Sequence, residues 1–342
     1  LRMDISAISP WISSVSNFKG ALDAQGDFKG TWKDLQGKVK ARLDQPGYKV
    51  HRLASIDCIL GLADSLLKVN SKIFLKDSSS LLRLNASLPL LPSQGWAIDM
   101  SDTEKARMDL SGTGINLNDV AFIFDSSSVA NGIGKVNLRM YSDQGSWVLG
   151  GTVQIADGVY RNRKKRITIN KLKLIATLSG KASDPLVEYA VFCGPARFQR
   201  GRVDSLYLKG YSTIDTFNVT GSRFWFPNDG TVDASARVPL NNMDSLLIHP
   251  GFQVDFSIDR FPLVHVSPFL MENMIRSGVV NGKGKIRITG GRPILSGNIK
   301  MEDGRFAFEE MNPEIGPVNA QLVMRDDSVI VNQLNGKCGK GR

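Results

Sequence analysis

Apolar and polar residues alternate with a period of two along nearly the whole chain, and that pattern restricts it to β-strands with one oily and one wet face. Ile167 and Ile169, followed by Leu172, Leu174, Ala176 and Leu178, share one side, while Thr, Asn and Lys take the other. The pattern recurs at Val323, Val329 and Val331, and at Phe224, Phe226, Val232 and Ala234. The last four flank Pro227-Asn228-Asp229-Gly230, a hairpin signal because Asn and Gly accept the positive φ of a tight reversal. Helical spacing occurs twice. From Pro268 to Arg276, Leu270, Met271, Met274 and Ile275 share a face with Gly278 as a stop, and from Ile59 to Lys68, Leu62, Leu66 and Leu67 do the same. Each predicts a short connector or plug. The expected class is all-β, a curled antiparallel repeat sheet with one or two short helices.

A sheet with one apolar face has to hide it, and helices to cover roughly thirty strands are missing. The sheet must therefore curl on itself or receive an apolar ligand, of which a lipid tail is one. With neighbouring strands ~4.8 Å apart, about thirty in series extend on the order of 140 Å, which makes an elongated groove. At ~0.8 kcal/mol per methylene, an acyl chain of about sixteen carbons faces a barrier of more than roughly 10 kcal/mol on entering water. The expected lining is Val153, Ile155, Ile167, Ile169, Leu172, Leu174, Ile286, Ile288, Ile299 and Met301. Alternation places the same residues equally well inside a closed sandwich, and exposed apolar area separates the two.

With 42% apolar and 22% charged residues the 342-residue chain is expected to fold. No apolar run reaches the roughly 18 residues of a membrane-spanning helix. With no signal pattern at its start, the sequence reads as an excerpt whose anchor lies outside it. The net charge of +10 favours anionic partners. Most cations are scattered along strands, as in Lys38-Val39-Lys40, but Arg161, Arg163, Lys164, Lys165 and Arg166 form one dense cluster. It is either a solvated loop or a contact for anionic headgroups. Cys58, Cys193 and Cys338 stand apart and read as isolated thiols. His51, His249 and His265 have no ligand-spaced partners, so no metal is expected. Gly132-Ile133-Gly134-Lys135 does not complete a phosphate loop, and the Asp of Asp157-Gly158 and of Asp303-Gly304 suits turns or bulges better than catalysis. The aromatics Phe224-Trp225-Phe226 lie far from the basic cluster, which argues against nucleic acid. No enzyme and no cofactor are expected.

An internal repeat organises the chain. Asn131-Gly132-Ile133-Gly134-Lys135-Val136 returns as Asn281-Gly282-Lys283-Gly284-Lys285-Ile286, and the phrase from Leu149 to Tyr160 returns from Leu295 to Phe306. The gap between the phrases differs by four residues, a difference expected in a hairpin loop. This succession resembles the C-terminal repeat region of the TamB family of the AsmA-like superfamily. The phrases from Asn312 to Leu322 and from Ile330 to Gly339 are similar to that family's ending, and Pro268 to Ile275 stands where it places a short helix. The likeness covers residues 118 onward, whereas 1–117 fits any AsmA-like strand repeat. The segments read as an AsmA-like stretch (1–117), a TamB-type repeat (118–266) and the start of another (267–342).

The resemblance implies an elongated β-taco with a hydrophobic groove, crossing the periplasm of a Gram-negative cell. It also implies an inner-membrane anchor outside this stretch and an outer-membrane barrel partner of the TamA or BamA type. The implied role is shielding phospholipid acyl chains during transport between the membranes. The alternative is a scaffold for assembly or secretion of outer-membrane barrels and autotransporters.

Overall fold

The computed structural model describes residues 2–4, 18–31, 34–48, 51–75, 80–92, 97–99, 106–119, 128–198, 201–240, 251–265, 275–308 and 311–337. The chain is all-β and antiparallel, as its alternation requires, and divides into two compact units. Unit 1 comprises Leu1–Gly158 and Ile175–Leu186, and unit 2 comprises Val159–Leu174 and Val187–Arg342.

The strands of unit 1 are β1 (Arg2–Asp4), β2 (Phe18–Lys29), β3 (Gln36–Tyr48), β4 (His51–Arg52), β5 (Ser55–Ala63), β6 (Leu66–Phe74), β7 (Leu81–Leu91), β8 (Ala97–Ile98), β9 (Arg107–Asn116) and β10 (Ser128–Asp143). They form a meander in the order β1-β2-β3-β5-β6-β7-β9-β10, with β4 beside β3 and β8 beside β7. Three strands run from one unit into the other: β11 (Ser146–Asn162), β12 (Ile167–Lys181) and β13 (Asp184–Cys193). Unit 2 adds β14 (Ala196–Phe198), β15 (Gly201–Val203), β16 (Ser205–Ser212), β17 (Thr216–Trp225), β18 (Thr231–Pro239), β19 (Gln253–Pro262), β20 (Ile275–Thr289), β21 (Arg292–Phe308), β22 (Met311–Asp326) and β23 (Ser328–Asn335). There β12 pairs with β14 and β14 with β15, while β13 pairs with β16 and the strands from β16 to β23 pair consecutively.

One expectation needs correcting. Ile59–Lys68 is not helical: it is the β5–β6 hairpin, turning at Asp64 and Ser65 with φ of 51° and 57°. Leu62 and Leu67 are direct cross-strand partners, which is why their spacing imitated a helix face. The second candidate falls mostly on 266–274, outside the described residues; Ile275 and Arg276 open β20, and Gly278 lies within that strand. The only helical elements among the described residues are the single 3-10 turns Leu117–Asp119, Pro227–Asp229 and Leu263–His265. The Pro227-to-Gly230 turn does join a hairpin, with Trp225 paired to Thr231 and the Phe226 N–H donating to the Gly230 carbonyl at 2.8 Å.

The repeat is real, but its four-residue discrepancy is not in the hairpin loop. β10 and β20 end at Asp143 and Thr289, and β11 and β21 span 146–162 and 292–308, so one offset of 146 relates both strands. Each hairpin turns on two residues of positive φ, Gln144-Gly145 and Gly290-Gly291, at the same offset. The first phrase, offset by 150, has slid along its strand. What the copies share in space is a close backbone approach: a Cβ on Gly132 would lie 2.7 Å from the Gly158 Cα, and one on Gly278 would lie 2.8 Å from the Gly304 Cα.

Bulges bend these sheets. In unit 2, register breaks fall between Ile258 and Phe261, between Ser277 and Val279, and between Met301 and Gly304, so successive strands kink at neighbouring places. Arg260 and Asp303 reach positive φ there, and their N–H groups donate to the Asn281 and Asn319 side chains at 2.8 and 3.1 Å. Bulges in line across a sheet curl it. They also shift parity, since the extra residue moves apolar positions from odd to even numbers. In β12 the apolar positions change from Ile167 and Ile169 to Leu172 and Leu174 around Lys171, which has a φ of 51°.

Candidate functional site

Register converts the alternation into continuous rows. On one face of unit 1, Leu43, Ile56, Ile73 and Leu82 are successive cross-strand partners, and Val39, Leu60, Val69, Ala86, Met108 and Met140 form a second row. The opposite face carries a charge ladder, Asp23, Arg42, Asp57, Lys72 and Arg83. Further along it, Asp109 accepts from Arg107 and Arg139 at 2.6 and 3.0 Å. Burial pushes the Asp109 carboxyl up, but the two guanidiniums more than offset this and hold it below its ordinary value.

Unit 2 repeats the arrangement. Leu206, Phe224, Val232, Ile258, Gly282, Ile299, Leu322 and Val331 are partners in turn across eight strands. The polar face holds Tyr207, Arg223, Asp233, Ser257 and Lys283, laced by the ion pairs Arg223–Asp233 (2.6 Å) and Lys285–Asp255 (2.7 Å).

The apolar faces are only half covered. Among the described residues thirteen apolar side chains are buried, eight of them in the five strands β12, β14, β15, β20 and β22, far fewer than a filled two-layer sandwich would enclose. The row residues Ile56, Leu60, Val69, Val232, Ile258, Ile299 and Leu322 all retain partial exposure. Of the ten residues expected to line a groove, Val153 and Ile155 lie on β11 in unit 1. Ile167, Ile169, Leu172 and Leu174 lie on β12, Ile286 and Ile288 on β20, and Ile299 and Met301 on β21, all in unit 2. Nine are partly exposed, and Ile288 alone is buried, at 6%. A surface depression of about 720 Å³ lies on the other side of unit 2, over Asp233, Ser235, Ser257, Lys283 and Ser296. At its rim Asp233 is paired with Arg223 and Asp255 with Lys285.

The basic cluster is an ordered turn between β11 and β12. Arg161, Arg163, Lys164, Lys165 and Arg166 are all exposed. The turn is pinned from below by Asn162, 1% exposed, whose Oδ1 accepts the Lys165 N–H at 2.8 Å. Sequence reading missed Arg197 and Arg202, which pairing places beside it: Thr168 faces Arg197, and Arg197 faces Arg202. No local pattern signals this, because β14 and β15 are three residues each.

His265 packs near Phe226 and Phe261, its ring centroid 5.8 and 6.1 Å from theirs. Its Nε2 is buried without a hydrogen-bond partner, and burial lowers its pKa, Asp204 opposing and Arg202 reinforcing the shift. Arg202 lies 3.3 Å from Asp204 without hydrogen-bond geometry. Cys193 is buried and Cys58 half-buried, and burial raises both thiols. No three His, Cys, Asp or Glu among the described residues come together as metal ligands. No helix among them is long and apolar enough to cross a membrane. His249 and Cys338 lie outside the described residues. No family model matches this chain, and neither does any curated protein or solved structure.

Proposed function

We propose that this chain is a segment of a bridge-like protein that shields lipid acyl chains along its apolar sheet faces during phospholipid transport between membranes. The observation that carries the reading is the row from Leu206 to Val331: aliphatic and aromatic side chains on seven of eight consecutive strands, with Gly282 on the eighth, left partly or fully exposed, and a face behind them that is polar from Arg223 to Asn298. Leaving so much apolar surface open costs about 25 cal/mol per Å² unless something covers it. An alkyl chain covers it without needing hydrogen bonds, so it fits a face that offers none. Curling by aligned bulges gives that face a trough-like section, which suits a thin flexible ligand better than a flat one.

The envelope setting belongs to this proposal through the TamB-like phrases alone. Periplasmic location, an inner-membrane anchor elsewhere in the protein and an outer-membrane barrel partner of the TamA or BamA type all come from that source. Chemistry is not part of the proposal, which involves no cofactor and no turnover.

Photoreactive residues at Ile155 and Ile299 test it, with Lys283 as the polar-face control. Lipid adducts at the first two and not the third support shielding. Protein adducts at Ile155 and Ile299 in place of lipid would favour the scaffold for outer-membrane barrel assembly, and equal labelling of both faces would end both readings.

A further inference from the structure

We infer that one end of unit 2 is a docking surface for an anionic phospholipid bilayer, built from the β11–β12 turn together with the β14–β15 hairpin. The inference rests on the lipid-shielding reading for its purpose, but its geometry stands separately.

The charge is concentrated by tertiary pairing. Arg161, Arg163, Lys164, Lys165 and Arg166 occupy the turn, and the β12–β14–β15 register sets Arg197 and Arg202 next to it. Among the described residues that is seven cations against one carboxylate, Asp204, in a chain whose total charge is +10. Arg197 and Arg202 are direct cross-strand partners, an arrangement that repels unless an anion lies between or above them. Arg202 keeps 60% of its side chain exposed despite Asp204, so its guanidinium remains available. The turn is held by the buried Asn162 and by the Arg166 N–H donating to the Arg163 carbonyl at 3.3 Å, so the cations are displayed on a fixed frame.

Charge alone would also suit nucleic acid, but what lies behind the cations favours a membrane. The Thr168–Arg197 pair is flanked by Ile167–Phe198 on one side and Ile169–Ala196 on the other, both on the opposite face. A cationic edge therefore borders the start of an apolar face, the order in which a phospholipid presents phosphate and then alkyl chain. Phe198, the aromatic residue next to Arg197 in β14, lies on the other face, away from Arg197 and Arg202. Several phosphates are needed to neutralise cations spread over one turn and two neighbouring strands, which a bilayer surface supplies and a single headgroup does not.

The test is vesicle co-sedimentation of the whole chain, with phosphatidylcholine alone and with about 30% phosphatidylglycerol. Binding is expected only to the anionic vesicles. It should fall about 25-fold in K164Q/K165Q and about fivefold in R197Q, since each basic residue near an anionic surface contributes about fivefold. K209Q/K283Q, which removes the same charge from the polar face of unit 2, should leave it unchanged. Equal loss in that variant, equal binding to neutral vesicles, or tighter binding to a DNA duplex than to the anionic vesicles would overturn the inference. Lipid adducts at Ile299 that persist in K164Q/K165Q without vesicle binding would separate the two claims, because shielding then stands whether or not docking does.

Discussion

Ile299→Lys and Ile288→Lys form a pair whose contrast measures whether the apolar face is open. Both side chains lie on the same face of adjacent strands, but Ile288 is 6% exposed and Ile299 is only partly covered. Replacing Ile299 forfeits much of the ~1.5–3 kcal/mol gained by covering an Ile, and the new ammonium reaches water along its alkyl stem, for a loss of about 2 kcal/mol. At Ile288 the ammonium has no such route, and an unpaired buried charge costs more than about 4 kcal/mol, a large part of a domain's roughly 5–15 kcal/mol. Urea unfolding followed by tryptophan fluorescence gives both differences, and co-purified lipid is measured on the same samples. Ile299→Lys should fold and lose its lipid, while Ile288→Lys should be mostly unfolded. If both unfold to the same extent, the face is a filled interior and the shielding argument fails.

Gly297, at φ 140° with its would-be Cβ against the Lys283 carbonyl, should lose about 2–4 kcal/mol as Gly297→Ala, read from the urea midpoint. Asn162→Ala removes the acceptor for the Lys165 N–H beneath the basic turn and should cost about 1–2 kcal/mol, with faster proteolysis at Lys164 and Lys165. His265 is held neutral by burial, so the unfolded chain binds the extra proton and stability falls as pH drops from 6.5 toward the lowered folded value. In His265→Asn that part of the pH dependence should disappear, whereas an unchanged slope would assign it to other groups. Tyr189, stacked on Phe217 at 5.0 Å and donating to the Asn218 carbonyl at 2.8 Å, is pushed up to about 12 by burial. It should therefore be the last tyrosine to ionise in an alkaline absorbance titration.

The class of fold was legible because strand alternation is a property of neighbouring residues: Leu172, Leu174 and Ala176 declare a shared face without reference to anything distant. The Pro227-to-Gly230 hairpin was legible for the same reason, since its turn chemistry is local. Helical spacing over Ile59–Lys68 misled because a two-residue turn brings Leu62 and Leu67 together much as a helix would, and only pairing tells them apart. Register and bulges belonged to the tertiary structure. The uniform 146-residue offset, the register breaks of β19 to β21 and the meeting of Arg197 with Arg202 all depend on hydrogen bonds between strands, whose partners a one-dimensional pattern does not name. Coverage of the apolar faces was likewise undecided by alternation, which is identical for a sealed core and an open trough; partial exposure from Ile56 to Leu322 distinguishes them, because burial is set by what packs above a face and not by the order of residues along it.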